Sequence, residues 1–168
     1  CFHGGGFFDD VGDGFQTLSR RQEIINADVL DAWFPAAPGV ISTLSEHLDW
    51  LVRTSPPTGC EGLIAAIAAA RGVPGSCILP GAGSSDLIFL AYNQWLTSAS
   101  KVLLLDPTYG EYFHVCEEVL RCQVDRFQLR REDGFKVAGE RLQEKLAEDD
   151  YDLVVVVNPN SPTGCHLP

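Results

Sequence analysis

The stretch Asp152-Leu153-Val154-Val155-Val156-Val157-Asn158-Pro159-Asn160-Ser161-Pro162-Thr163-Gly164 decides the fold. Four consecutive valines read as a strand buried on both faces, the pattern of parallel sheets covered by helices. A polar loop follows at that strand's carboxyl end, where open α/β sheets place their ligands. Pro159 and Pro162 fix φ and remove two backbone donors, holding the Asn and Ser side chains in a stiff loop that can meet a ligand.

Working back from this strand, the chain alternates regularly. Residues 77–79 read as a short strand, 85–96 as a strongly apolar helix and 101–106 (KVLLLD) as a buried strand. Residues 112–120 predict a helix, 123–129 a strand, 137–147 an amphipathic helix and 152–157 the last strand. Such alternation implies βαβ units: a three-layer α/β/α fold with a mostly parallel sheet. Further upstream, residues 61–71 form an Ala-rich helix with Leu63, Ile64 and Ile67 on one side, closed by Gly72 and Pro74. Residues 54–59 are a break, and 39–52 a helix with Val40, Leu44 and Leu48 at helical spacing. Residues 1–22, Gly- and Phe-rich without period, read as an arm or an extended segment. The expected organisation is an arm with part of a smaller region over 1–59, then an incomplete larger domain over 60–168.

Twelve basic against 23 acidic residues give a net charge of −11, which disfavours nucleic acid and anionic membrane as partners. No apolar run approaches the roughly 20 residues of a membrane helix, and no signal peptide opens the chain. The six cysteines lack CxxC spacing, so reduced thiols and no metal site are expected. The start at Cys1, the absence of Met and the end at His166-Leu167-Pro168 suggest a piece of a longer chain.

Three loops carry candidate chemistry. Pro80-Gly-Ala-Gly-Ser-Ser-Asp86 opens a helix, where small residues, unpaired N–H groups and the helix dipole favour a phosphate. Ser84 and Ser85 add hydroxyls there. The same segment also fits a plain capped helix start with Ser at the N-cap. It partly fits a nicotinamide-dinucleotide fingerprint too, with Gly81, Gly83 and Asp106 in place but Asp86 where the third glycine belongs. In Asp106-Pro-Thr-Tyr-Gly-Glu-Tyr112, the ring of Tyr109 is placed to stack on a planar heteroaromatic ligand, or simply to pack on its own domain. The third loop is the Asn158–Gly164 segment. His3-Gly-Gly-Gly6 imitates an esterase oxyanion hole, but no G-x-S-x-G elbow accompanies it. His47 and His114 sit in helical segments and read as surface or packed histidines.

Taken in order, the three loops resemble the cofactor half-site of fold-type I, class I/II pyridoxal-phosphate-dependent aminotransferases, most nearly the histidinol-phosphate aminotransferase-like members. The resemblance covers essentially the whole chain, with Ile25–Trp33 (INADVLDAW) matching an N-terminal substrate-loop segment. It implies that Ser84 and Ser85 hold the phosphate of pyridoxal 5′-phosphate and that Tyr109 stacks on its ring. It further implies that Ser161 or Asn160 donates to its phenolic oxygen. The family usually has Asn before PTG, where this chain has Ser161. It also carries a Tyr-Pro pair where this chain has Arg53-Thr-Ser-Pro-Pro57, so Thr54 or Ser55 would take that place. The Schiff-base lysine, the aspartate for the pyridine nitrogen and the arginine for the substrate carboxylate come later in the family's sequences. None of Lys101, Lys136 and Lys145 looks like a desolvated, reactive amine. The resemblance therefore implies the N-terminal part of a cytoplasmic, homodimeric enzyme acting on an amino acid and a 2-oxo acid. A decarboxylase of the same fold and a nicotinamide-dependent oxidoreductase domain are the alternatives.

Overall fold

Val102, Leu103, Leu104 and Leu105 are each at most 1% exposed, and the sheet is built around them. They belong to β1 (Lys101–Asp106), the central strand of a three-stranded parallel sheet in the order β2-β1-β3. A strand with apolar side chains on both faces must be covered twice, and this one is. Val102 and Leu104 pack with Tyr92, Leu96, Val115 and Cys116 on one face. Leu103 and Leu105 pack with Phe127, Leu129 and Leu142 on the other.

The computed structural model describes residues 5–27, 31–32 and 34–167. Its elements are α1 (Gly6–Val11), α2 (Pro38–Leu51), α3 (Glu61–Arg71), α4 (Ser84–Trp95), β1, α5 (Gly110–Phe113), β2 (Gln123–Gln128), α6 (Gly139–Glu148) and β3 (Leu153–Val155). Short 3₁₀ segments occupy Phe15–Gln22 and Gly75–Cys77, and a π-helix at His114–Val119 continues α5. The chain divides into two compact units, one closing at Gly62 and the other opening at Leu63. In the second unit α4 and α5 lie against one face of the sheet and α6 against the other, which makes three layers. Pro38 pre-sets the first turn of α2, and Gly72, at φ +65°, ends α3 where a side chain would be strained.

Four expectations change. Residues 77–79 are not a strand: Ile78 is extended (φ −118°, ψ 123°), but among the described residues no neighbouring strand takes up its backbone, and Leu79 is exposed. The last strand is shorter than expected, pairing only over Leu153–Val155 and lying at the sheet's edge. Val156, beyond the ladder, is 43% exposed, so the valine run is covered on both faces only over its first part. Within residues 1–22 the described part holds α1 and a 3₁₀ segment, with Val11 fully buried, so it is not an extended segment. The helix expected over 112–120 begins at Gly110 and widens into the π form. Cys1, His3 and part of the Ile25–Trp33 segment lie outside the described residues.

Candidate functional site

Because β1 and β3 are parallel, the chain leaving Asp106 and the chain leaving Val155 emerge at the same end of the sheet. The first continues into Pro107-Thr-Tyr-Gly110, the second into Asn158–Gly164. Asn160, only 3% exposed, lies between them. Thr108 Oγ1 donates to Asn160 Oδ1 at 2.9 Å, and Asn160 Nδ2 donates to the Pro107 carbonyl at 2.9 Å and to Thr163 Oγ1 at 3.1 Å. A carbonyl oxygen only accepts, so the Pro107 contact fixes which end of the amide is nitrogen. The loop's own backbone closes around the same residue, with Asn160 N donating to Cys165 O and Gly164 N to Asn160 O, both at 2.7 Å. Three peptide bonds in these loops are cis, at Asp106–Pro107, Asn158–Pro159 and Ser161–Pro162. Ser161 is exposed.

The amino end of α4 completes the arrangement. Gly83, at φ +95°, is the N-cap, so Ser84 and Ser85 are the first two helical residues and neither is the cap. At Gly81 a Cβ would come within 2.7 Å of the Leu87 side chain. Asp86 Oδ2 accepts from Ala82 N at 2.9 Å and folds the loop onto the helix start. Ser84 is exposed. The half-buried Ser85 places Oγ 3.3 Å from the Tyr109 hydroxyl and donates to Glu111 Oε2, also at 3.3 Å. Tyr109 meets Tyr112 edge to face at 5.8 Å, and Tyr112 stacks on Tyr92 at 6.2 Å. Burial, with Tyr109 nearby, holds the Tyr112 phenol above its ordinary range. Burial, reinforced by Cys116 and Tyr112, does the same to Tyr92. Both phenols therefore stay neutral behind Tyr109.

Ser85 and Tyr109 thus meet, Ser84 adjoins them, and Asn160 is tied to the Tyr109 loop through Thr108 and Pro107. Thr108, Glu111 and Thr163 complete the cluster: they lie inside the same loops, and no local pattern marks their part in it. Thr108 and Asn160 are 52 positions apart, and no local pattern links them. A separate cavity of about 550 Å³ runs along β2 and α6, bordered by Arg126, Arg130, Arg141 and Lys145, and no residue of the three loops lines it.

The dinucleotide reading loses its supports. That fingerprint opens from a strand, and residues 77–79 form none. Asp106, its ribose ligand, instead accepts from Gln128 Nε2 at 2.8 Å and faces Arg126 Nη1 at 3.6 Å. Two of the lysines are held in ion pairs. Lys101 starts β1 at the opposite end of the strand, paired with Asp149 and 3.8 Å from Asp125. Lys145 pairs with Glu148 at 2.8 Å and Asp125 at 3.2 Å. The Asp149 bond to Lys101, and those of Glu148 and Asp125 to Lys145, raise both ammonium groups above their ordinary range. No helix among the described residues is long and apolar enough to cross a membrane.

A parallel sheet sandwiched by helices, with three polar loops gathered at one end, is the frame in which α/β proteins place a ligand. The model of the family aminotransferase class I and II matches residues 45–168, and the chain belongs to that family. Over 133 residues it is 34% identical to the histidinol-phosphate aminotransferase of Staphylococcus aureus (strain MRSA252), covering 78% of this chain and 36% of that protein. The chain therefore spans about a third of that relative's length. Among solved structures, histidinol-phosphate aminotransferase from Sinorhizobium meliloti in complex with pyridoxal-5′-phosphate superposes with a TM-score of 0.70. That match has 18% identity and covers 93% of this chain and 42% of that one. A decarboxylase from Sulfurospirillum multivorans gives a TM-score of 0.57 at 22% identity, over 77% of this chain and 34% of that one. These two likenesses show the fold.

Proposed function

We propose that this chain is the N-terminal, cofactor-holding part of a pyridoxal-5′-phosphate-dependent aminotransferase acting on a histidinol-phosphate-type or aromatic amino donor and a 2-oxo acid. The observation that carries this reading is the 3.3 Å approach of Ser85 to the Tyr109 hydroxyl, which brings a helix amino end and an aromatic ring together at the mouth of a parallel sheet. The free N–H groups of the first turn of α4 and the hydroxyls of Ser84 and Ser85 bind the phosphate. Tyr109 covers one ring face, backed by Tyr112. Ser161 donates to the phenolic oxygen, because both amide hydrogens of Asn160 are already held by Pro107 and Thr163. When bound, the cofactor supplies an electron sink for charge developing at the amino acid's α-carbon. The residues here orient it, while the amine that moves the proton is none of Lys101, Lys136 and Lys145.

The test uses pyridoxine 5′-phosphate, which has the phosphate, ring and phenolic oxygen but no aldehyde to react with surface lysines. The 168-residue chain binds it, Ser85→Ala and Ser161→Ala weaken it severalfold, and the chain transfers no amino group. Absence of binding, or transaminase turnover by this chain, refutes the assignment. A longer form is expected to be a cytoplasmic homodimer that transfers the amino group of histidinol phosphate to a 2-oxo acid. Sedimentation as a monomer counts against the dimer. Decarboxylation is the second reading, favoured by the Sulfurospirillum multivorans likeness, and release of carbon dioxide by the longer form would select it.

A further inference from the structure

The two loops that leave β1 and β3 have no backbone ladder between them, since the register of that strand pair ends at Leu104↔Val155. Beyond it, hydrogen bonds from Thr108 and to Pro107 converge on the Asn160 side chain. We propose that Asn160 is a positioning residue: with Thr108 it latches the Tyr109 loop to the Ser161 loop, and so sets the spacing between the ring-stacking group and the phenolic-oxygen donor. This inference rests on the reading of the site as a pyridoxal-phosphate site.

The chemistry of the latch is specific to asparagine. The position requires one acceptor for Thr108 Oγ1 and two donors, for Pro107 O and Thr163 Oγ1, on a single planar group. Aspartate supplies no donor and would face the Pro107 carbonyl with an oxygen. Glutamine is one methylene too long for a residue 3% exposed. Thr163 is held in turn, accepting from Cys165 N at 3.3 Å and donating to Asn160 O at 3.4 Å. Every polar atom of the Asn160 side chain is therefore committed within the protein. The neighbouring Ser161, exposed, is the side chain left to face a ligand.

The experiment compares Asn160→Asp, Thr108→Val, the double variant and Thr108→Ser in the 168-residue chain. One readout is hydrogen exchange at single amides and the other is the Kd for pyridoxine 5′-phosphate. If the latch operates, Asn160→Asp speeds exchange of the Tyr112 amide, which lies in α5 where the other loop ends and bonds Tyr109 O. Thr108→Val likewise speeds exchange of the Gly164 amide, which bonds Asn160 O. Each single variant weakens the ligand about tenfold, or about 1.4 kcal/mol. The double variant stays within about twofold of the weaker single, because both remove one unit. Thr108→Ser, which keeps the hydroxyl, stays near wild type. Exchange altered only in the mutated loop, or single effects that multiply in the double variant, overturns the latch. Should Asn160→Asp fail to fold, Thr108→Val and Thr108→Ser decide alone. If the wild-type chain does not bind pyridoxine 5′-phosphate, the cofactor reading fails, and the cross-loop exchange still decides whether the latch exists.

Discussion

Glu111 is 4% exposed and accepts from the same Ser85 hydroxyl that the proposed phosphate would use, so Glu111→Gln tests the anion site directly. A glutamine oxygen can still accept from Ser85 with nearly the same shape. The change therefore removes charge and leaves packing almost unaltered. With Ser85 Oγ 3.3 Å from the carboxylate, a phosphate bound to that hydroxyl would lie roughly 5–6 Å from Glu111. At an effective dielectric of about 20 this corresponds to a repulsion of up to about 3 kcal/mol per unit charge. The outward side of the site is open to water, which screens part of this. The expected gain on substitution is at least about 1 kcal/mol, or fivefold tighter binding. Calorimetric titration with pyridoxine 5′-phosphate measures it, with pyridoxine as the uncharged control. Glu111→Gln should tighten the phosphorylated ligand, leave pyridoxine unchanged and lose its advantage in high salt. Equal effects on both ligands, or weaker binding of the phosphorylated one, would refute the placement of a phosphate beside Ser85.

Leu104→Ala, at a site with 0% exposure in the central strand, should lower unfolding free energy by about 2–5 kcal/mol in urea titrations. An effect below about 1 kcal/mol would mean that β1 is not the core strand. Burial, with Cys122 and Glu117 nearby, pushes the Cys116 thiol from 9.0 up to about 12, so a thiol reagent at pH 8 should modify the exposed Cys77 and spare Cys116 until the chain unfolds. The same shift has a sign in stability. The folded state keeps a proton that the unfolded state has lost, so stability falls from pH 9 towards 12, and Cys116→Ala should flatten that limb in denaturation curves. Asp125 is held below its ordinary value of 3.8, chiefly by the Tyr151 hydroxyl at 2.6 Å and then by Lys145. Its contribution is present above pH 3.8 and is lost as pH falls through the lower folded value, so Asp125→Asn should reduce the acid dependence of the unfolding midpoint.

The elements legible in the sequence are those whose cause is local. Lys101–Asp106 reads as a buried strand from its apolar run alone, and Glu61–Arg71 as a helix from its alanines and its closing Gly72. Residues 77–79 show the limit of such reading, because extended backbone becomes a strand only when another chain segment accepts its hydrogen bonds. The π-helix at His114–Val119 and the short pairing of Leu153–Val155 are likewise set by packing.

The site divides in the same way. Sequence by itself determined that three loops rich in Gly, Pro, Ser and Asn follow apolar segments, since composition and turn chemistry act over a few residues. It also singled out Ser84, Ser85, Tyr109, Asn160 and Ser161 as polar or aromatic groups on those loops. Only the tertiary structure decided that Ser85 reaches both Tyr109 and Glu111, that Asn160 is spent on Thr108, Pro107 and Thr163, and that Ser161 is left outward. The physical reason is that a hydrogen bond is assigned by distance and direction in space. Strand pairing sets both for residues 52 positions apart, beyond the reach of any local pattern.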